Sequence, residues 1–262
     1  MTFLPSPQQL ASRATGPARQ VALECVAETG STNADLLARA PRLSGPVLLL
    51  AGHQTAGRGR SGRTWQSAAD ASLTFSLAWK FQRALPQLVG LPLAVGVAIA
   101  DALRESGVQA QLKWPNDVLQ GGQKLAGVLI ETSAAPDGVW AGVGIGINLA
   151  LPPALAARID RPAAALPSQA IDREALLASL LNALAQALTD FDAAGLAPFA
   201  ARWNALHAWR GEAVAVLDQG QVRQQGTALG IDDAGRLLID TTDGQIAVLS
   251  GDVSLRRLDP GA

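Results

Sequence analysis

The sequence has too few cysteines and histidines for several common kinds of site. Its 262 residues include one cysteine, Cys25, and two histidines, His53 and His207. One cysteine excludes an intrachain disulfide framework and a cysteine-rich zinc site, and two histidines argue against a histidine-based metal site. We expect the chemistry to be carried by other residue types. The single cysteine suits a reducing compartment, and we expect a cytoplasmic protein.

The sequence also shows little excess of charge, and we expect neither a signal peptide in its first residues nor a membrane-spanning apolar run. Lysine and arginine number 21 against 22 aspartate and glutamate residues, for a net charge of −1. This balance argues against a general nucleic-acid or membrane-surface binder. Residues 1–7 have neither a charged start nor an apolar core. The stretch 91–102 is interrupted by Pro92 and Asp101 and looks too short to span a bilayer. We expect neither DNA nor a membrane as a partner.

A local concentration of arginine and glycine stands out against this weakly charged background. Residues 57–63 read GRGRSGR, and Trp65 follows two positions later. Glycine allows left-handed backbone and close approach to a ligand, and arginine offers a planar charged fork to carboxylate or phosphate oxygens. The pattern favours a loop that closes over an anion, with a solvated basic loop as the alternative.

The same glycines match the GxGxxG pattern of dinucleotide-binding proteins. That motif requires a helix to begin at the glycines, because the helix N-terminus holds the pyrophosphate. Here residues 72–79 follow, and their alternation with period two predicts a strand. The sequence context therefore excludes this interpretation. The Gly-x4-Gly-Lys-Ser/Thr phosphate loop is also absent from the sequence.

The order of predicted elements indicates an α+β protein with a small β domain at its end. Beyond residue 210, five short alternating runs separated by Asp/Gly turns predict an SH3-like β-barrel. We predict a flexible N-terminus at 1–20, a larger domain at 21–209 and the small domain at 210–262. Strands are predicted at 21–27, 72–80, 109–114, 124–132 and 139–148, and helices at 33–40, at 86–106, after Asp172 and up to about residue 207.

Three further segments carry polar groups or glycines at strand ends. KWPND at 113–117 displays a lysine, an amide and a carboxylate where proline stops a strand, and KLAGVLIE at 124–131 begins a strand with an ammonium group. GVGIGIN at 142–148 leaves one strand face without side chains. Such a face indicates close approach by a ligand or another backbone, or tight packing against a helix. Either lysine could also be a solvated strand-end residue.

Together with GSTN at 30–33 and with QTA at 54–56, which leads into GRGRSGRTW at 57–65, these segments resemble the biotin protein ligases, also called biotin–[acetyl-CoA-carboxylase] ligases. The resemblance covers residues 28–257 and rests on five segments in the same order. It implies a catalytic domain with the fold of class II aminoacyl-tRNA synthetases, followed by an SH3-like domain. It also implies that the larger domain binds biotin and ATP.

The resemblance implies a two-step reaction. The biotin carboxylate attacks the α-phosphorus of ATP, which gives biotinyl-5′-adenylate and pyrophosphate. A carrier lysine then attacks the acyl carbon and releases AMP. Biotin and ATP are the implied substrates, Mg2+ the implied cofactor, and the biotin carboxyl carrier protein of acetyl-CoA carboxylase the implied acceptor. Catalysis of this kind depends on positioning and on stabilisation of phosphoryl charge.

The resemblance also implies a role for each matching residue. Hydroxyl and amide groups would bind the neutral ureido ring of biotin: Ser31, Thr32, Asn33 and Gln54. The loop would close over the carboxylate and the adenylate phosphate, with Trp65 as an aromatic face: Gly57, Arg58, Gly59, Arg60 and Arg63. Arg63 could instead hold the loop by an ion pair.

The remaining implied residues lie at the phosphate end. Lys113 would lie near the phosphates and Lys124 near the biotin carboxylate, and with Arg60 they are the implied catalytic residues. Asn116 and Asp117 would orient ligands or Mg2+, and Asn148 would lie on the ATP side. Metal ligands are left unassigned.

Alternatives from other classes remain open. A lipoate ligase shares the fold and the adenylation chemistry, and a non-enzymatic nucleic-acid binder would use the arginines on phosphates. Some biotin ligases carry an N-terminal DNA-binding module and act as repressors. About 20 residues precede the first predicted strand here, so we expect a ligase without that role. A monomer or a weak homodimer is expected.

Overall fold

Two β-sheets organise the residues that the computed structural model describes, which are 4–159, 162–167, 171–251 and 253–258. The first sheet contains β1 (Ala22–Thr29), β2 (Val47–Gln54), β3 (Ser72–Phe81), β4 (Gln111–Lys113), β5 (Asp117–Gln120), β6 (Gln123–Ala135) and β7 (Gly138–Asn148). The second contains β8 (Ala213–Asp218), β9 (Gln221–Ile231), β10 (Leu237–Thr241), β11 (Gly244–Val248) and β12 (Val253–Arg257). The orders are β1-β2-β3-β7-β6-β5-β4 and β11-β10-β9-β8-β12.

Helices cover both faces of the first sheet. They are α1 (Pro7–Ser12), α2 (Thr32–Arg39), α3 (Leu91–Glu105), α4 (Pro153–Ala156), α5 (Arg173–Ala194) and α6 (Ala197–Leu206). α2 packs on β2, β3 and β7, whereas α3 packs on α5 and on β4 to β6. The sequence of β2 reflects burial on both faces of the sheet. Leu48 and Leu50 join the apolar cluster under α3, while Val47 and Leu49 join the apolar cluster under α2. An unbroken apolar run therefore suits a strand buried on both faces.

The register of the central strands brings small residues together. β3 and β7 pair antiparallel with Ser76 opposite Gly144, and β6 pairs with β7 so that Gly127 lies opposite Gly146. This part of the sheet consequently offers room on the face that α2 covers.

The second sheet is joined to the first through the end of α6 and the turn after β9. Asn204 of α6 accepts from the Ile231 amide at 2.7 Å and donates to the Ile231 carbonyl at 3.1 Å. The Trp114 indole donates to the Gly235 carbonyl at 3.2 Å. Trp114 directly follows β4, so the two sheets meet close to the KWPND segment.

The predicted α+β class and most of the predicted elements are confirmed. One central strand of the first sheet, β2, was not predicted, although its eight residues are largely apolar. The structure contains β5, which the sequence reading missed, because four residues directly after a proline turn carry too little periodicity. The helix predicted at 86–106 begins at Leu91 after a 3-10 turn at Leu85–Leu88.

The N-terminal segment differs from the flexible tail predicted for residues 1–20. Residues 7–12 form α1 and residues 16–20 form a 3-10 turn, with Leu10 and Ala18 each 1% exposed. The Thr15 amide donates to Asn182 of α5 at 2.8 Å. Apolar burial and this hydrogen bond tie the segment to the core. Residues 1–3 lie outside the described part of the chain.

One stretch of the described residues, 85–105, is long and apolar enough to cross a bilayer. The prediction from sequence considered only residues 91–102, which are fewer than this stretch of 21 residues. Two thirds of its apolar window (67%) is buried within the protein, however. Its apolar character is explained by packing of α3 in the core.

Candidate functional site

A cavity of about 590 Å3 lies on the α2 side of the first sheet. This volume is in the range of pockets that hold small ligands. Fourteen of the predicted site residues line it: Ser31, Thr32, Asn33, Gln54, Arg58, Gly59, Arg60, Arg63, Trp65, Lys113, Asn116, Asp117, Lys124 and Asn148. Gly57 is not among the residues that line the cavity. It packs against the backbone of Trp65, since an added Cβ would come within 2.7 Å of the Trp65 carbonyl oxygen.

One end of the cavity is polar and uncharged. Ser31 caps α2, where its hydroxyl accepts from the Ala34 amide, and so the helix begins with Thr32 and Asn33 buried. Gln54 Oε1 accepts from the Thr32 amide at 2.8 Å and from its hydroxyl at 3.1 Å. Thr32 Oγ1 lies 2.7 Å from Ser76 Oγ. The sequence reading missed Ser76, which only the β3–β7 register brings here.

The glycines of β7 make room for two side chains of the site. A Cβ on Gly144 would lie 2.9 Å from Asn33 Oδ1, and one on Gly142 would lie 3.2 Å from the same atom. A Cβ on Gly146 would overlap the Trp65 indole. Because Asn33 belongs to α2, packing against a helix explains the first two glycines. Gly146 allows Trp65 to lie flat against the sheet.

The arginine-glycine segment forms a tight hairpin over the cavity. The Gly59 amide donates to the Arg63 carbonyl at 2.7 Å, and the Trp65 amide donates to the Gly57 carbonyl at 2.9 Å. Ser61 and Gly62 at its tip have φ of 54° and 71°, a conformation that glycine adopts at little cost.

Arg58 is held by a carboxylate that the sequence reading did not single out. Its guanidinium donates to Glu131 Oε2 at 2.8 Å, and the Asn33 amide nitrogen donates to the same oxygen at 2.9 Å. Glu131 therefore ties the hairpin to α2, and Arg58 helps to fix the hairpin.

Two lysines and one carboxylate form the core of the opposite, cationic end. Asp117 Oδ1 lies 2.6 Å from Lys124 Nζ, and its Oδ2 lies 3.2 Å from Lys113 Nζ. Burial raises the pKa of Asp117, but the two ammonium groups outweigh burial and lower that pKa to about 2. Burial lowers the pKa of Lys113, Asp117 opposes this shift, and Lys124 and Arg256 add to it.

Arg60 extends the cationic end toward the second sheet. Its guanidinium donates to Asn116 Oδ1 at 3.2 Å and to the Gly251 carbonyl. Residues 253–255 of β12 also line the cavity. No site residue was predicted beyond Asn148, because nothing in the local pattern of residues 251–255 shows that they reach another domain.

Two amide side chains that were predicted to contact ligands donate hydrogen bonds from their nitrogen atoms to backbone carbonyls. Asn116 Nδ2 donates to the Val128 carbonyl at 2.8 Å. Asn148 Nδ2 donates to the carbonyls of Ala164 at 3.0 Å and Lys124 at 3.3 Å. Both residues thus hold neighbouring strands and loops in place around the cavity.

The residues present do not form a protein-held metal cage. In the described ranges there is no cluster of three or more His, Cys, Asp or Glu residues. Asp117 is the one carboxylate among the described cavity-lining residues, and it already pairs with two ammonium groups. The site suits a Mg2+ ion that arrives on nucleotide phosphates, which is a common mode of Mg2+ binding. A direct Mg2+ contact by Asn116 or Asp117 stays a prediction.

Comparisons with known proteins agree along most of the chain. A model of the biotin/lipoate A/B protein ligase family matches residues 24–148, and a model of the biotin protein ligase C-terminal domain matches residues 211–256. The biotin–[acetyl-CoA-carboxylase] ligase of Mycobacterium tuberculosis is 38% identical over 242 residues, which are 88% of each chain. The bifunctional ligase/repressor BirA of Escherichia coli is 36% identical over 86% of this chain and 71% of its own length.

A solved structure is similar over nearly the whole fold. The biotin protein ligase from Aquifex aeolicus in complex with biotin and ATP superposes with a TM-score of 0.75 at 31% identity. The alignment covers 90% of this chain and 99% of that one.

Proposed function

Because this chain belongs to the biotin protein ligase family, we propose that it transfers biotin, through biotinyl-5′-adenylate, to a lysine of the biotin carboxyl carrier protein of acetyl-CoA carboxylase. The chain is a biotin–[acetyl-CoA-carboxylase] ligase by its relatives, and the acceptor and the residue roles are the proposed part. We place the reaction in the cytoplasm, since Cys25 is a free thiol and ATP is the energy source.

The observation that carries this proposal is that one cavity joins an uncharged polar end to a cationic end. Biotin has the same polarity, with a neutral ureido ring and a carboxylate tail. Thr32 and Gln54 offer a hydroxyl and an amide to the ring. Arg60, Lys113 and Lys124 offer three cations to the carboxylate and the adjoining phosphate.

In the first step, a carboxylate oxygen of biotin attacks the α-phosphorus, and the bond to the pyrophosphate oxygen breaks. The two reactants are both anions, so their approach requires neutralisation by nearby cations. We assign Lys124 to the carboxylate, and Lys113 and Arg60 to the phosphates. Asp117 orients both lysines without cancelling the net positive charge of the cluster. Mg2+ on the phosphates would supply further neutralisation when bound.

In the second step, the carrier lysine attacks the acyl carbon and AMP leaves. The mixed anhydride must be protected from water until the carrier arrives. The hairpin with Trp65 is suited to this task because the indole lies over Gly127 and Gly146 along the cavity floor. Arg60 joins the hairpin to Asn116 and Gly251, so it can help the hairpin to retain the adenylate in the cavity.

The test is to incubate the purified chain with biotin, MgATP and a carrier domain, and to measure the intact mass of the carrier. We expect the addition of one biotinyl group, and none on a carrier whose acceptor lysine is arginine. Lys124→Ala should abolish transfer, whereas Lys80→Ala removes a lysine paired with Asp137 and should not. Lipoate in place of biotin gives the decisive alternative: lipoyl transfer without biotinyl transfer would overturn the proposal. Adenylate formation without transfer would overturn the acceptor alone.

A further inference from the structure

Strand β4 is clamped by the chain that follows α6. The Ala208 amide donates to the Leu112 carbonyl at 2.8 Å, and the Trp114 indole donates to the Gly235 carbonyl at 3.2 Å. Between these two points, Lys113 Nζ lies 5.0 Å from the centre of the Trp209 ring. Three successive residues, 112 to 114, are therefore each held by a residue beyond 206.

The ring of Trp209 lies against a buried ammonium group, that of Lys113, whose charge is only partly balanced by its neighbours. Lys113 is 8% exposed, so its ammonium has lost most of its hydration. The charged groups facing it are Asp117 of β5, Lys124 of β6 and Arg256 of β12. Asp117 is shared with Lys124 and cannot balance both lysines.

A second carboxylate near Lys113 would balance its charge but would repel incoming phosphates. The face of an aromatic ring attracts a cation and carries no net charge, so it holds the ammonium without opposing an anionic ligand. Trp209 is half-buried and lies between α6 and β8, where the second sheet begins.

We propose that Trp209 is a positioning residue for adenylation: its ring face holds the Lys113 ammonium in place for the phosphates of ATP. The role in adenylation rests on the function proposed above, whereas the effect on Lys113 does not. Through Trp209, the linker to the second sheet sets the geometry of the phosphate end.

The kinetic test compares Trp209→Leu with Trp209→Phe in biotin-dependent exchange between ATP and pyrophosphate. Loss of the ring face should lower kcat/KM for ATP by about 3- to 10-fold, and Phe should restore most of it. Biotin affinity, measured by calorimetry, should not change.

The pH dependence of the same exchange gives a further readout. The ring favours the ammonium over the amine, so the alkaline limb of the pH profile of kcat/KM should move to lower pH in Trp209→Leu. Trp79→Leu, which removes a half-buried tryptophan from β3, is the matched control and should leave the limb in place.

A second measurement needs no substrate. The rate at which an amine-reactive acylating reagent labels Lys113, followed by peptide mass spectrometry, reports the fraction of neutral amine and its exposure. We expect faster labelling of Lys113 in Trp209→Leu than in the wild type or in Trp209→Phe. Trp209→Met is measured in parallel, so that poor folding of one variant does not decide the result.

The outcomes separate the two proposals. If wild-type protein shows no biotin-dependent exchange but Trp209→Leu labels faster at Lys113, the proposed function fails and the positioning of Lys113 stands. Wild-type kcat/KM, alkaline limb and labelling in folded Trp209→Leu or Trp209→Met would overturn the role of Trp209. The role is likewise overturned if Phe and Leu behave alike, because volume and not the ring face would then matter.

Discussion

The two ends of the cavity are built in different ways. The uncharged end comes largely from one short segment, Ser31 to Asn33, where the Thr32 hydroxyl is hydrogen-bonded to Gln54 and Ser76. The Asn33 amide donates to Glu131, whose charge is balanced by Arg58. The cationic end draws Arg60 from a hairpin, Lys113 from β4 and Lys124 from β6, and it touches the second sheet at Gly251. The first end is a hydrogen-bond network centred on one segment, and the second is a charge cluster whose three cations come from three separate parts of the chain.

This difference predicts different responses to substitution. At the uncharged end, a change removes one hydrogen bond and its effect should stay local. At the cationic end, Asp117 is shared by two lysines, so a change alters the charge balance of the whole cluster. Four predictions test this contrast, beginning with the largest effect.

Asp117→Asn should lower the stability of the protein more than any other substitution considered, because it leaves the Lys113 ammonium buried without its carboxylate partner. We expect a loss of about 3–5 kcal/mol in the free energy of unfolding, typical of removing one partner from a buried ion pair. Denaturant unfolding measures this loss, and Asp137→Asn, at the exposed partner of Lys80, is the control. The pKa of Asp117 is depressed to about 2, so its contribution is present above its ordinary value near 3.8 and disappears as pH falls through about 2. Wild-type stability in Asp117→Asn would show that the cluster is not electrostatically coupled.

Arg60→Ala should release the adenylate faster without unfolding the protein. A charge-assisted contact is worth about 1.5–3 kcal/mol, which corresponds to about 10- to 100-fold in the dissociation rate. Release of labelled biotinyl-adenylate from the preformed complex measures this rate. Arg202→Ala removes a guanidinium paired with Asp101 on α3 and serves as the control. Equal release rates in the two variants would show that Arg60 does not retain the adenylate.

His207 tests the structural support beneath the cationic end. It bridges to Leu112 of β4 and stacks on Trp203 with ring centres 4.8 Å apart. Burial, aided by Arg210, lowers the pKa of His207 to about 4 from an ordinary value of 6.5. The unfolded chain therefore binds more protons between these values, and stability falls as pH drops through that window.

His207→Phe keeps a ring against Trp203 but cannot bind a proton. Between pH 7 and pH 5, the wild type should lose about 2 kcal/mol more of its unfolding free energy than the variant. Denaturant unfolding at both pH values gives the comparison. Parallel losses in the two proteins would mean that His207 is protonated in the folded state.

Thr32→Val should have the smallest and most local effect. It removes a hydroxyl between Gln54 and Ser76, and we expect about 1 kcal/mol lower biotin affinity by calorimetry. The KM for ATP should stay the same, because the cationic end is untouched. Thr189→Val, in which the lost hydroxyl bonds within α5, is the control. A large change in the KM for ATP would refute the separation of the two ends.

Prediction from sequence succeeded where a local conformation depends on neighbouring residues. The capped start of α2, the loop at 57–63 and the strand with alternating glycines, β7, all follow from residue types at fixed short spacing. It failed at β5 and at α1, where short segments acquire their structure from packing against others. It also missed Ser76 and Glu131, which have ordinary strand surroundings in the sequence and enter the site only through strand register.

The sequence by itself determined which chemical groups this protein carries and in what local conformation, because caps, turns and strand faces depend on a few adjacent residues. The tertiary structure alone decided that Asp117 lies between two ammonium groups, that Lys113 faces Trp209, and that Arg60 reaches Gly251. The last two contacts join residues far apart in the chain, and the order of the strands brings them together. Ion pairs, hydrogen bonds and contacts between a cation and a ring form only when the groups lie within a few ångströms of each other, so that order assembled these residues into one cationic cluster.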